Sequence, residues 1–232
     1  MEYPHVPPRG LLWRITHAAL LRASPAALAT RYLAISDMFL SLANLLITRQ
    51  HGGVHPKHEI MQYEQFFLRF IEPNMTVLDV GSSRGTVTAK LASKARHVTG
   101  IEIDPGSYAF AVAKNAPPNV DYILGDVTQF KPAQRYEVSV LSNVLEHIDD
   151  RVGLLSKIRD ISTTLLVRVP ALDRDWWPSY RRTIGIEWRS DTTHFIEHTE
   201  NELRSELAAA GWHVDLLERR WGEFYVKCSK TA

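Results

Sequence analysis

Three carboxylates recur through the middle of the chain, each at the end of a short apolar run. Asp79 lies in Val-Leu-Asp-Val-Gly-Ser-Ser-Arg-Gly, residues 77–85; Glu102 ends His-Val-Thr-Gly-Ile-Glu; Asp126 follows Val-Asp-Tyr-Ile-Leu-Gly. An apolar run this short, closed by glycine, reads as a buried strand feeding a tight turn. Glycines in the turn let backbone approach a ligand with no Cβ in the way. The next residues, Thr-Val-Thr-Ala-Lys-Leu-Ala, read as a helix whose first N–H groups face that turn. The combination describes a pocket floor at the carboxyl ends of strands, where open α/β sheets take ligands. A carboxylate at the end of the second strand suits a ribose diol, because it accepts from two hydroxyls at once. Asp79 would repel a pyrophosphate, and the stretch is not the G-x-G-x-x-G of a dinucleotide site.

A fourth apolar run, Tyr136 to Ser142, is followed by Asn-Val-Leu-Glu-His-Ile-Asp-Asp, residues 143–150. His147 therefore stands on the same rim, and an imidazole near its ordinary pKa of about 6.5 is available as a base at neutral pH. His194, His198 and His55 are alternative bases. Residues 171–198 then break the strand–helix rhythm. They interleave Trp176, Trp177, Tyr180, Trp188 and Phe195 with arginines and acids. A loop this long inside a compact domain is usually functional. Trp176, Trp177, Trp188 and Arg181 suit a ring-shaped, hydroxylated or acidic substrate; the alternative is a cap whose tryptophans only cover the sheet edge. Before the first strand, a polar loop carrying His55 leads into a helix expected over about 59–71, and His55 and Tyr63 are candidate pocket-lining groups.

The spacing Asp79-x-Gly81-x-Ser83-x-Gly85 resembles motif I of the class I S-adenosylmethionine-dependent methyltransferases, D/E-x-G-x-G-x-G, with Ser83 in place of the middle glycine. The phrase Val-Leu-Glu-His after the fourth strand is similar to that of small-molecule methyltransferases, the ubiquinone-pathway O-methyltransferases among them. The resemblance covers about residues 70 to 230. It implies an α/β fold: a Rossmann-like, seven-stranded, mostly parallel sheet with helices on both faces. Residues 1–58 would be an N-terminal helical extension, and 59–232 the S-adenosylmethionine-binding domain with its substrate-cap insert at 171–198. It implies S-adenosyl-L-methionine as cofactor, with Glu102 on the ribose and Asp126 beside the adenine amino group. Gly81, Ser82, Ser83, Gly85, Ile103, Gly125, Val127, Ser142 and Asn143 would complete the cofactor site. His147 would be the catalytic base, with His194 as an alternative to it, and the acceptor a hydroxyl of a sugar, phenolic or other natural product. The ubiquinone-pathway relatives use an acid-rich version of the strand-four phrase for a divalent ion. Here Glu146, His147 and Asp150 offer ligands, but Asn143 stands where an acid would help, so no metal is expected. Two other classes stay open: a non-catalytic methyltransferase-like binding subunit, and an NAD-dependent oxidoreductase.

Size and composition bound these readings. The 232 residues suffice for one α/β domain plus a small appendage. A net charge of +1 carries no electrostatic footprint for nucleic acid. One cysteine, Cys228, excludes an internal disulfide framework and a cysteine zinc cluster, and fits a reducing cytoplasm. No unbroken run of apolar residues reaches membrane-spanning length, so no transmembrane segment is expected. Helical spacing runs from Leu11 to about Arg49, split at Pro25. Residues 9–22 are basic and amphipathic; they would lie on a membrane surface, or pack on their own domain or a second subunit, which leaves a homodimer open.

Overall fold

A computed structural model describes residues 10, 24–53, 55–132 and 134–231. The arm and helix expected before Pro25 fall outside the described residues. The chain divides into two compact units, Met1–Ile60 and Met61–Ala232.

The first unit holds α1 (Pro25–Gln50), which stops at His51 before two glycines with positive φ, Gly52 at +67° and Gly53 at +92°. By length and composition α1 could cross a membrane. No unbroken apolar run marks it in the sequence, because Arg31, Ser36, Asp37, Ser41 and Asn44 interrupt the helix. The helix expected over 59–71 is instead two short ones, α2 (Lys57–Met61) and α3 (Glu64–Leu68). Gln62 breaks them apart, with φ at +43° in the left-handed region. Phe66 and Phe67 of α3 are fully buried.

The second unit alternates strand and helix: β1 (Thr76–Val80), α4 (Thr86–Ala92), β2 (His97–Glu102), α5 (Pro105–Lys114), β3 (Val120–Leu124), β4 (Tyr136–Ser142), a 3-10 turn (Leu145–His147), α6 (Arg151–Ile161) and β5 (Ser162–Pro170). The insert contributes α7 (Trp176–Thr183), and α8 (Glu200–Ala209), β6 (Trp212–Arg220) and β7 (Glu223–Lys230) complete it. The strands form one seven-stranded sheet in the order β3-β2-β1-β4-β5-β7-β6. The first five are parallel; β7 runs antiparallel to β5 and β6. Strand order reverses between β1 and β4, and that switch point opens a crevice beyond their carboxyl ends.

Every residue of β1 is buried, because apolar groups cover both faces of the sheet. On one face Leu78, Val80 and Leu141 pack with Leu155, Leu207 and Trp212; on the other Val77, Val138 and Val140 pack with Phe66, Phe67 and Leu91. Trp212 donates its indole N–H to the Leu155 carbonyl at 2.9 Å, which satisfies the one polar atom of the largest core side chain. Asp104 caps α5 by accepting from the Ser107 N–H at 2.7 Å, and α8 begins with the capping box formed by Thr199 and Glu202. Cys228 is buried, and burial pushes its thiol up to about 12, so it carries no thiolate at neutral pH.

The turn after β1 is shaped from beneath by Tyr122 of β3. A Cβ on Gly85, whose φ is +78°, would stand 2.2 Å from the Tyr122 hydroxyl, and one on Gly100 would stand 2.8 Å from the same ring. Gly85→Ala is therefore expected to destabilise the protein by about 1–3 kcal/mol, through overpacking added to left-handed strain. Denaturant unfolding checks this: the midpoint should fall with the slope unchanged, whereas an unmoved midpoint would show that the tyrosine yields freely.

Candidate active site

The β1 turn is tied to the end of β2. The N–H groups of Gly81 and Ser82 both donate to the Ile101 carbonyl, at 2.9 and 3.0 Å. Glu102, buried at the end of β2, accepts from the Ser83 N–H and from the Asp104 N–H, each at 2.7 Å. One carboxylate thus clamps the bend after β1 to the bend after β2. Ser83 sits at φ +47°. This is the left-handed region that a middle glycine would occupy without strain, and serine pays a Cβ penalty there.

Asp79 is 1% exposed and accepts from the Thr88 hydroxyl of α4 at 2.6 Å. Burial pushes its pKa from 3.8 up to about 7, against the lowering pull of the Thr88 bond and with a further push from the Glu102 charge. The two acids are therefore close enough to feel one another. Asp126 accepts from the backbone and hydroxyl of Thr128, both at 2.8 Å, and so organises its own turn. Gly125 donates to the Glu102 carbonyl at 2.8 Å, which fixes the end of β3 beside that of β2. Ile103 is exposed next to Glu102, and Val127 packs on the core.

At the end of β4, Asn143 occupies φ +56°, and its N–H donates to the Arg168 carbonyl at 2.8 Å. Arg168, buried in β5, pairs with Glu223 of β7 at 2.9 Å and donates to the Ser142 hydroxyl at 3.3 Å. Its guanidinium lies 3.8 Å from the centre of the Tyr63 ring. Asn143 Nδ2 donates to Glu223 at 3.3 Å, and so does the Tyr225 hydroxyl at 3.0 Å. Ser142, Asn143 and Tyr63, singled out from sequence, are thus held by one buried ion pair. The hint was Arg168 itself, a charge inside the apolar run Thr-Leu-Leu-Val-Arg-Val-Pro.

The insert brings a second histidine to the first. The His147 and His194 rings meet edge-on at 4.7 Å between centres. His147 is exposed, with Nδ1 3.1 Å from the Thr193 hydroxyl. Burial of part of its ring and the neighbouring His194 lower its pKa from 6.5. His194 is buried, with Nδ1 3.2 Å from Glu197. Burial alone would raise Glu197, but hydrogen bonds from His194, Ser190 and Arg174 hold it down to about 2. Glu146 is the opposite case. It is 0% exposed, neither oxygen has a hydrogen-bond partner among the described residues, and burial raises its pKa to about 7. One ligand atom each of Glu146, His147 and His194 lie within 4.8 Å of one another.

The other candidates are spread more widely. Trp176 and Trp177 stack at 4.1 Å on α7, with Trp176 62% exposed. Arg181 donates to the Glu187 carbonyl at 3.3 Å, while Trp188 lies under the Arg182 guanidinium at 5.2 Å. The insert's ends are pinned by a parallel bridge between Ala171 and His198. His55 belongs to the first unit, where Nε2 is 3.4 Å from Asn44 Oδ1.

Residues 77–163 match the family model of the methyltransferase domain. That stretch, with the seven-stranded sheet order, supports a methyltransferase domain of the class I S-adenosylmethionine-dependent kind. A ubiquinone biosynthesis O-methyltransferase of Rhodopseudomonas palustris is 25% identical over 148 residues, 59% of this chain and 58% of that one. The magnesium protoporphyrin IX methyltransferase of Synechocystis with bound S-adenosylhomocysteine shares the fold, with a TM-score of 0.59 and 17% identity over 73% of this chain and 80% of that one. So does the methyltransferase in complex with the Trm112 activator of Haloferax volcanii, with a TM-score of 0.63 and 14% identity over 75% and 92%. The chain spans between 26% and 58% of the length of the curated relatives it matches.

The site's own features fit the methyltransferase cofactor. A Cβ on Gly81 would stand 2.6 Å from Val144, so the bend is closed to any larger residue. Ser82 Oγ and Asn143 Oδ1, which follow the two strands flanking the switch point, are buried with no hydrogen-bond partner among the described residues. Asp79 gives a pH test. Its folded pKa is raised, so its contribution to stability is fully present below pH 3.8 and is lost as the pH rises through about 7. Asp79→Asn should therefore flatten the fall in unfolding free energy of the ligand-free chain across that window. An unchanged pH profile in denaturant titrations would contradict the burial of this charge.

Proposed function

We propose that this chain transfers a methyl group from S-adenosylmethionine to a hydroxyl of a small-molecule acceptor, a sugar, phenol or related natural product. Glu102 would take the ribose hydroxyls, and Asp126 with Ile103 and Val127 would flank the adenine. The bend Gly81–Gly85, with Ser142 and Asn143 opposite, would seat the amino-acid end. The bound cofactor would supply an electrophilic methyl on a sulfonium, so the protein's task is to bind, orient and exclude water. His147 would remove the acceptor proton, steadied by His194. The stacked Trp176–Trp177 pair, with Trp188 and Arg181, would take the acceptor's ring. The observation that carries this reading is the exposed His147 ring, four residues past Asn143, with its pKa held below 6.5 and therefore neutral at physiological pH.

His147→Ala should lower turnover by about 100-fold or more while leaving affinity for S-adenosylhomocysteine unchanged. The wild-type rate should fall only below about pH 6.5, where imidazole protonates, and the variant should lack that limb. Formation of S-adenosylhomocysteine from a panel of phenolic and sugar acceptors measures both; normal turnover in the variant would remove His147 from the reaction.

One observation favours a second reading, in which a divalent cation assists. Glu146, with two unpartnered buried oxygens, and two imidazoles form a two-histidine, one-carboxylate set that suits Zn²⁺ or Mn²⁺ better than Mg²⁺. These ligands differ from those weighed in the sequence, because the insert supplies His194. Calorimetric titration with Zn²⁺ separates the readings: binding that Glu146→Gln abolishes would support the cation, and no binding would leave the histidine pair alone.

A further inference from the structure

The first unit carries a surface the methyltransferase reading does not use. At about 100° per residue, Thr30, Asp37, Ser41, Asn44 and Thr48 of α1 fall within one stripe about 60° wide; Ser36 lies outside it, as do Arg31, Arg49 and Gln50 near the helix ends, where long side chains can reach water. Leu45, Met38, Leu42, Leu46, Phe39 and Leu40 sweep through about 220° of the remaining circumference. All six are exposed, Phe39 by 62% and Leu46 by 64%. Thr30, Asp37 and Thr48 are half-buried, together with Leu28, Leu33 and Ile47. The broad apolar face of α1 is thus left exposed, where a helix of a water-soluble protein normally turns polar residues outward.

The polar stripe is also largely self-sufficient. Thr30 and Thr48 return their hydroxyls to the carbonyls four residues back, Ala26 at 3.1 Å and Asn44 at 2.8 Å. Asp37 has an interaction partner. Hydroxyls bonded in this way need no water. A protein partner's groove covers one face of a helix and would leave much of a 220° arc wet. Lipid covers the whole arc. The helix has 26 residues, a length of about 39 Å, against a hydrocarbon layer about 30 Å thick.

We propose that α1 buries its apolar arc in a lipid bilayer and so holds the catalytic unit at a membrane. The inference concerns the first unit and stands apart from the identity of the acceptor. Flotation of the full-length chain with vesicles of phosphatidylcholine alone tests it, since apolar burial needs no lipid charge. The wild type should float with the vesicles and remain bound in high salt. The triple variant Met38→Asp, Leu42→Asp, Leu46→Asp should lose about tenfold or more of the floated fraction, with an unchanged thermal unfolding midpoint, because all three positions are exposed. Wild-type protein that stays in the dense fraction, or a variant that floats as well as the wild type, overturns the proposal. So does flotation that high salt abolishes.

Discussion

The site depends on a single clamp: the Glu102 carboxylate bound to the N–H of Ser83 on one side and of Asp104 on the other. Two loops from separate strands are fixed by one side chain, and charge-assisted bonds to backbone amides are among the stronger hydrogen bonds a carboxylate makes. The clamp works only if the β1 turn is narrow. Gly81 is pressed against Val144 and Gly85 against Tyr122, so the turn's path is dictated from both sides by residues far away in sequence. Each carboxylate oxygen accepts one backbone N–H and keeps a second lone pair, so vicinal hydroxyls of a ligand would bond to the same carboxylate with the clamp in place.

Burial sorts the acids of the two halves of the site. Asp79 and Glu146, each with few or no compensating donors, are pushed up to about 7. Glu197 is equally buried but is surrounded by donors and remains ionised. Glu197 in turn holds His194, which leans on His147, so the insert is wired to the rim of β4 through one ionised carboxylate. The chain of contacts explains how a segment without regular sheet structure can position the His147 ring: Arg174 and Ser190 both anchor Glu197.

Much of the fold was legible because it rests on local signals. The apolar run of β1, its glycines, Asp104 before Pro105 and the Thr199–Glu202 box each act within a few residues. What escaped depends on register or on inversion of a local rule. Arg168 and Glu223 meet only because β5 and β7 pair antiparallel with Arg168 opposite Tyr225. Tyr122 of β3 reaches Gly85 across β2. Gln62 interrupts a helical run by adopting a left-handed conformation that its residue type does not announce. His194 was named as a candidate base, yet its contact with His147 could not be read from a separation of 47 residues. The apolar arc of α1 is not visible as a run because Arg31, Ser36, Asp37, Ser41 and Asn44 break it.

The account stands on the bend after β1 holding an adenosine-bearing sulfonium and no dinucleotide. Calorimetric titration of the purified chain with S-adenosylhomocysteine and, separately, with NADH tests this most directly. Saturable one-to-one binding of S-adenosylhomocysteine with no heat from NADH is the result expected; binding of NADH alone, or of neither, would contradict it.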